Sequence, residues 1–173
     1  MQKSLPEPWL RGSHSEIPAV LRAVLHALEL AREDLTFWCD ELSEPDLMAT
    51  PSGLPSIAFH LRHIARSLDR LLTYAEGRQL NERQLQALTT EFHHCSRAEI
   101  FSELSAALTQ SSARILKLSK KPDTLNHPRA VGRENLPTTV AGLLVHIADH
   151  TQRHVGQVIT TAKIIAAKRG QTL

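Results

Sequence analysis

Apolar residues recur every three or four positions in four stretches of the chain, which is the period of amphipathic α-helices that face a common core. Residues typical of helix ends accompany these stretches: capping boxes begin at Ser13 and Ser96, Thr138 or Thr139 caps the last stretch, and Gly77 follows the second. Four long helices are therefore predicted, over residues 13–42, 56–77, 96–118 and 138–169.

The segments between these helices are predicted to be loops. Residues 43–55 and 123–137 each contain several prolines and glycines, which cannot continue a helix. Residues 78–95 form a polar connection in which a short helix is expected from Glu82 to Thr90. No alternating strand and no internal repeat is recognised.

These elements predict an all-α fold, a four-helix bundle formed by a single domain over residues 1–173. Residues 1–12 are expected to be an N-terminal arm, anchored by Trp9 and Leu10. The connection after the second helix has about eighteen residues and, at roughly 3.3 Å each, could span a helix of about 33 Å. Helices two and three could then run parallel, but the third connection is nearly as long and leaves the topology open.

Composition and charge restrict the classes of partner. The net charge of +2 is spread over interleaved acidic and basic residues, which argues against nucleic acid. No apolar run approaches the roughly 18 residues of a membrane span, and the N-terminus lacks the apolar core of a signal peptide. Two isolated cysteines, Cys39 and Cys95, fit a reducing, cytoplasmic setting.

Apolar residues outside the helical stripes, such as Phe59, Val145 and Ile164, predict a homodimer.

Candidate chemistry is concentrated on the fourth helix, where His146, His150 and His154 follow at intervals of four. Residues four apart share a helix face, so neighbouring imidazoles can bind one ion. On a helical wheel His154 lies at the edge of the apolar stripe, His150 on its shoulder, and His146 roughly a third of a turn away toward solvent. The stripe itself consists of Val140, Leu144, Ile147, Thr151, Val155, Val158, Ala162 and Ile165. The favoured pair is His150 with His154.

Two alternatives stay open at this point. The chain has ten histidines, so a pair at this spacing can be incidental, hydrogen-bonded rather than bound to a metal. A third ligand would have to come from elsewhere, and the second helix offers His60 and His63 on one flank of its apolar stripe. Burial on the helical wheel slightly favours His60 over His63.

The chain resembles the DinB-like superfamily, also described as DinB/YfiT-like metalloenzymes, over nearly its whole length. The resemblance rests on a Ser-x6-His-Ile-Ala segment from Ser56 to Ala65 and on the motif His150-x3-His154-x-Gly-Gln. It implies a bundle in which helices two and three are parallel through a long crossover. It also implies one divalent metal ion, held by a histidine of helix two and the pair of helix four.

Carried over by position, the implied metal ligands are His63, His150 and His154, because the serine and the Ile-Ala pair set the register on helix two. His60 and His146 then become residues that orient a ligand or contact substrate, or ordinary histidines on the flanks of their helices. Many members of the superfamily carry a glutamate near the pair, whereas His150 is flanked here by Asp149 and Thr151. No carboxylate is therefore expected as a fourth ligand or general base, and no catalytic residue is assigned.

Three neutral imidazoles would leave open positions on a Zn, Ni or Fe ion. Members of the superfamily with assigned roles resemble S-transferases and isomerases that use low-molecular-weight thiols. The resemblance thus implies a metal-dependent thiol S-transferase or related enzyme that acts on a small molecule. The alternatives are a non-catalytic metal-binding or stress-associated bundle and a helical interaction domain with incidental histidines.

Overall fold

The computed structural model describes residues 5–170, and this part of the chain is mostly helical. It contains six α-helices and one two-stranded antiparallel sheet, together with three short 3-10 segments. In chain order the elements are α1 (Ala19–Cys39), α2 (Glu44–Met48), α3 (Ile57–Ala75), α4 (Glu82–Thr89), α5 (Arg97–Ser119), β1 (Pro128–Val131), β2 (Leu136–Thr139) and α6 (Val140–Lys168). The 3-10 segments are Pro8–Leu10, Pro51–Gly53 and Pro122–Asn126.

The four long predicted helices correspond to α1, α3, α5 and α6, and their ends show which capping signals operate. Ser56 accepts a hydrogen bond from the Phe59 amide, and Ser96 forms the capping box expected at the start of α5. At α6 the cap is Thr139, whose hydroxyl accepts from the Gly142 amide. The residues of the stripe predicted on α6 are all buried.

The predicted start of α1 was wrong. The helix begins at Ala19, and its N-cap is Pro18, with an extended ψ of 140°. A proline disfavours helical geometry in the residue before it, so the helix cannot extend back through Ile17. The hydroxyl of Ser13 instead lies 3.1 Å from Nε2 of His26.

Two short elements were absent from the sequence-based prediction. Helix α2 lies within the predicted loop 43–55 and buries Leu47, and its first turn is closed by a capping box between Ser43 and Asp46. A β-hairpin lies within 123–137 and extends to Thr139. Segments of four or five residues are too short for a period to be recognised, which is why neither element was predicted.

The N-terminal arm also differs from expectation. Residues 1–4 lie outside the described part of the chain. Trp9 and Leu10, the expected anchors, are exposed, whereas Pro8 is buried. Arg11 connects the arm to α1 through two hydrogen bonds to the Glu33 carboxylate, of 2.6 and 2.7 Å.

Contacts between the long helices set their relative directions. Arg62 binds Glu103 and Asp69 binds Arg114, so residue numbers increase together along α3 and α5. Helix α6 packs against both α1 and α3, and its residue numbers decrease as those of α3 increase. The histidine-bearing turns of α3 and α6 are thereby brought side by side. No helix within residues 5–170 is both long and apolar enough to cross a membrane.

Candidate metal centre

Histidines from α3 and α6 converge where these helices pack together. His63, His150 and His154 each offer one ring nitrogen, and the three nitrogens lie within 4.8 Å of one another. Nε2 of His63 is 3.2 Å from Nε2 of His150. All three residues are half-buried, so the cluster is partly shielded from solvent and partly accessible to it.

The surroundings of the two α6 histidines, His150 and His154, favour their uncharged form. Burial, followed by the neighbouring histidines, lowers the pKa of His150 to about 4. Burial and then the proximity of His63 and Arg153 lower the pKa of His154 to about 4 as well. Near neutral pH both rings are neutral and keep a lone pair, which is the form that binds metals.

His60 is close to this cluster but is not one of the three converging residues. It is only 2% exposed, and its Nδ1 lies 3.0 Å from Nδ1 of His154. Burial, and then the proximity of His154 and His63, lower its pKa to about 4. The helical wheel was right that His60 is the more buried residue, and in this position its ring contacts His154.

His146 lies on the outer side of the cluster. Its ring centroid is 5.4 Å from that of His150, and its Nδ1 is 3.8 Å from the carboxylate of Asp149. Asp149 in turn accepts a 2.6 Å hydrogen bond from Arg153 on the exposed face of α6. Neither residue brings a further ligand atom to the three histidines.

A carboxylate that the sequence analysis did not expect lies directly beside His63. Oε2 of Glu91 is 2.7 Å from Nδ1 of His63, and Oε1 accepts a 3.1 Å hydrogen bond from Arg70. Burial alone would raise the pKa of Glu91, but the bonds to His63 and Arg70 outweigh it and lower this pKa. Glu91 follows α4 in the connection to α5. It is distant in sequence from the histidine motifs of α3 and α6, so no spacing between residues indicated it.

Comparison with known protein families agrees with this architecture. The model of the DinB superfamily matches residues 27–158, which include the three converging histidines and Glu91. This chain belongs to the DinB superfamily. No curated protein matches it.

The donor set fits the divalent metal ion that membership of the DinB superfamily implies. Three imidazoles supply nitrogen ligands, which suit Zn, Ni and Fe. Two of the rings have pKa values of about 4 and are therefore ready to bind at neutral pH. The third, His63, has its other nitrogen bound to a carboxylate, the arrangement that commonly orients a histidine ligand.

Arginines of α3 fix the connection that carries Glu91 in this DinB protein. Arg62 donates to the backbone carbonyl of His93, and Arg66 donates to that of Ala87, with distances of 2.7 and 2.6 Å. Both guanidinium groups also bind Glu103 on α5. Together with Arg70 they occupy positions four apart, so one face of α3 holds the backbone on either side of Glu91.

Stacked aromatic rings form one edge of the DinB site. Phe59 stacks on His63 with ring centroids 5.4 Å apart, and Phe92 stacks on Phe59 at 4.3 Å. Phe92 is nevertheless 71% exposed. An apolar surface thus leads from solvent to the first converging imidazole.

Proposed function

We propose that this protein binds one divalent metal ion through His63, His150 and His154. The observation that carries the proposal is the convergence of three ring nitrogens within 4.8 Å, supplied by two helices that are far apart in sequence. The lowered pKa values of His150 and His154 support it, because protons do not compete for the nitrogens of these two rings near neutral pH.

The proposed activity is that of a metal-dependent small-molecule enzyme of the thiol S-transferase type. A divalent ion held by His63, His150 and His154 would supply a Lewis acid, which lowers the pKa of a thiol or of water. The chain would hold this ion with its three histidines, and the half-buried site would limit access by bulk water. The exposed ring of Phe92, stacked toward His63 through Phe59, offers an apolar surface for a small-molecule substrate.

A second candidate is a metal-binding or stress-associated protein without catalysis. The observation in its favour is that the carboxylates near the histidines are already engaged. Glu91 accepts hydrogen bonds from His63 and Arg70, and Asp149 accepts one from Arg153. Neither carboxylate is free to act as a general base, so this candidate needs only the three ligands.

The finer architecture belongs to the same proposal. Packing of α1, α3, α5 and α6, with α3 and α5 in the same direction, supports a DinB-like four-helix bundle with a long crossover over residues 76–96. We take residues 1–173 as one such domain, in a cytoplasmic setting. A homodimer remains a prediction: Val145 is exposed, whereas Phe59 and Ile164 are partly buried.

The test of metal binding is elemental analysis of the purified protein. We expect about one divalent metal per chain, and loss of most of it in His150→Ala or His154→Ala, because removing one of three ligands opens the site to water. His127→Ala, which changes an exposed histidine in the connection before β1, is the matched control and should keep the metal. Full occupancy in both ligand variants would overturn the proposed site.

The two candidate functions are separated by an activity assay on the metal-loaded protein. Bacillithiol, mycothiol or glutathione is supplied with a small electrophile, and loss of the free thiol is followed. Turnover that disappears in His150→Ala supports the S-transferase. Full metal loading without turnover for any of these thiols favours the non-catalytic protein.

A further inference from the structure

Oε1 of Glu91 contacts Arg70, and Oε2 contacts Nδ1 of His63. The second contact determines which nitrogen of His63 carries a proton. An ionised carboxylate can only accept hydrogen bonds, so His63 must donate from Nδ1 across the 2.7 Å contact with Oε2. In a neutral imidazole the other nitrogen then keeps its lone pair. That nitrogen, Nε2, faces His150 at 3.2 Å, on the side where the three rings converge.

We propose that Glu91 is a positioning residue of the metal centre, which accepts the Nδ1 proton of His63 and so presents Nε2 to the ion. The inference rests on the proposed function, because it takes His63 as a ligand. Glu91 lies in the connection between α4 and α5, a segment that contributes no histidine to the cluster.

The position of Glu91 is itself strongly determined. The residue is only 6% exposed, and Arg70 binds its second oxygen at 3.1 Å while donating a 3.0 Å hydrogen bond to Ser67. The backbone on both sides is bound by arginines of α3, through the carbonyls of Ala87 and His93. A carboxylate fixed in this way can fix the plane of the imidazole as well as its proton.

One consequence is a linkage between metal binding and the docking of this connection. If Glu91 must be in place for His63 to bind the ion well, a bound ion must in turn favour the docked connection by the same factor. The amides of residues 87–93 should therefore exchange hydrogen more slowly when the metal is bound. Amides of the β-hairpin, remote in sequence from the site, provide the internal reference.

The experiment compares Glu91→Ala and Glu91→Gln with Glu103→Gln. Metal affinity is measured by competition with a chromogenic zinc chelator, after circular dichroism has shown that each variant is helical. Glu91→Ala should weaken zinc binding roughly 10- to 100-fold, the range for lost partners of metal ligands. Glu91→Gln should lose less, because its amide oxygen can still accept from Nδ1.

Glu103→Gln is the matched control because Glu103 binds Arg62 and Arg66, which hold the same connection, and touches no histidine. It should keep the affinity of the wild type. Equal weakening by Glu103→Gln and Glu91→Ala would overturn the proposal, since the loss would then reflect a loosened connection and not the missing partner of His63.

Nitrogen NMR of the metal-free protein at neutral pH gives a readout that a merely structural role would not change. His63 should carry its proton on Nδ1 in the wild type and lose this preference in Glu91→Ala, while Glu103→Gln keeps it. A wild type that binds no zinc defeats the proposed function. Unchanged affinity together with an unchanged tautomer in Glu91→Ala defeats this inference alone.

Discussion

His60 and His63 lie one turn apart on α3 and make different contacts because their rings point to different depths of the interface with α6. The ring of His60 is buried and meets Nδ1 of His154, whereas His63 lies closer to the edge and meets Nε2 of His150. A ligand must reach the common point of the cluster and keep a lone pair directed at it. Among the described residues, His63 is the α3 histidine that joins His150 and His154 in a group that could hold an ion.

The first prediction at this scale distinguishes these two histidines. His63→Ala should abolish metal binding, because it removes one of the three converging nitrogens. His60→Ala should weaken binding by no more than roughly 10- to 100-fold, the effect of losing a partner of a ligand. Competition with a chelator measures both affinities. If His60→Ala abolishes binding and His63→Ala does not, His60 is the ligand and the assignment by position is wrong.

The sequence predicts neighbouring residues where the relation is local. Helical spacing and the helical wheel together favoured His150 with His154, and the structure brings these rings to centroids 4.6 Å apart. Choosing between His60 and His63 required the register between two helices, which periodicity within one helix does not contain. Glu91 was missed because its place depends on how the connection folds back onto α3, which no local pattern encodes.

At the scale of the elements, α3 carries Phe59, His60 and His63 in its first two turns. Its start is fixed by Ser56, whose hydroxyl accepts from the Phe59 amide at 3.1 Å. This bond satisfies one of the amides that have no partner within the helix. Fraying at this end would displace Phe59 and the two histidines together.

The second prediction is that Ser56→Ala lowers the free energy of unfolding by about 1 kcal/mol, the usual cost of losing a serine N-cap. Urea denaturation followed by circular dichroism measures it. Ser102→Ala is the control, because Ser102 is exposed on α5 and should change stability by less than about 0.5 kcal/mol. A loss for Ser56→Ala no larger than that of the control would contradict the role of this cap.

The long elements could be predicted because each repeats its apolar period over several turns. Helix α6 contains 29 residues, and its buried stripe was identified correctly along its length. The start of α1 was misplaced because Ser13 was taken as its cap, whereas the helical backbone begins only after Pro18. Helix α2 and the hairpin have five and four residues per element, too few for periodicity to operate.

At the scale of the whole molecule, the candidate site depends on three parts of the chain that meet only in the folded state. Helix α3 contributes His63, helix α6 contributes His150 and His154, and the connection after α4 contributes Glu91. A bound ion would thus join α3 to α6 directly and the connection indirectly. Because the unfolded chain does not hold these groups together, metal binding must add to the stability of the fold.

Protonation of the buried histidines lowers the stability of the fold. His60, His150 and His154 have pKa values of about 4 in the metal-free fold, against about 6.5 for histidine in an unfolded chain. Between these values the unfolded chain binds more protons than the folded one. Their contribution to stability is therefore complete above about pH 6.5 and is lost progressively as the pH falls through about 4.

The last prediction combines this dependence with the metal. Imidazoles with ordinary pKa values would release the ion below about pH 6.5, whereas the lowered values of His150 and His154 predict that these two rings remain available to the ion well below that pH. We expect the thermal midpoint of the metal-free protein to fall between pH 6.5 and 4. The midpoint of the zinc-loaded protein should stay higher at pH 8 and pH 6, and approach the metal-free value near pH 4. Differential scanning calorimetry of both forms measures these midpoints.

Equal midpoints at pH 8 would mean that the ion contributes nothing to stability. A difference that is present at pH 8 but gone by pH 6 would mean that the rings of His150 and His154 titrate as exposed histidines do.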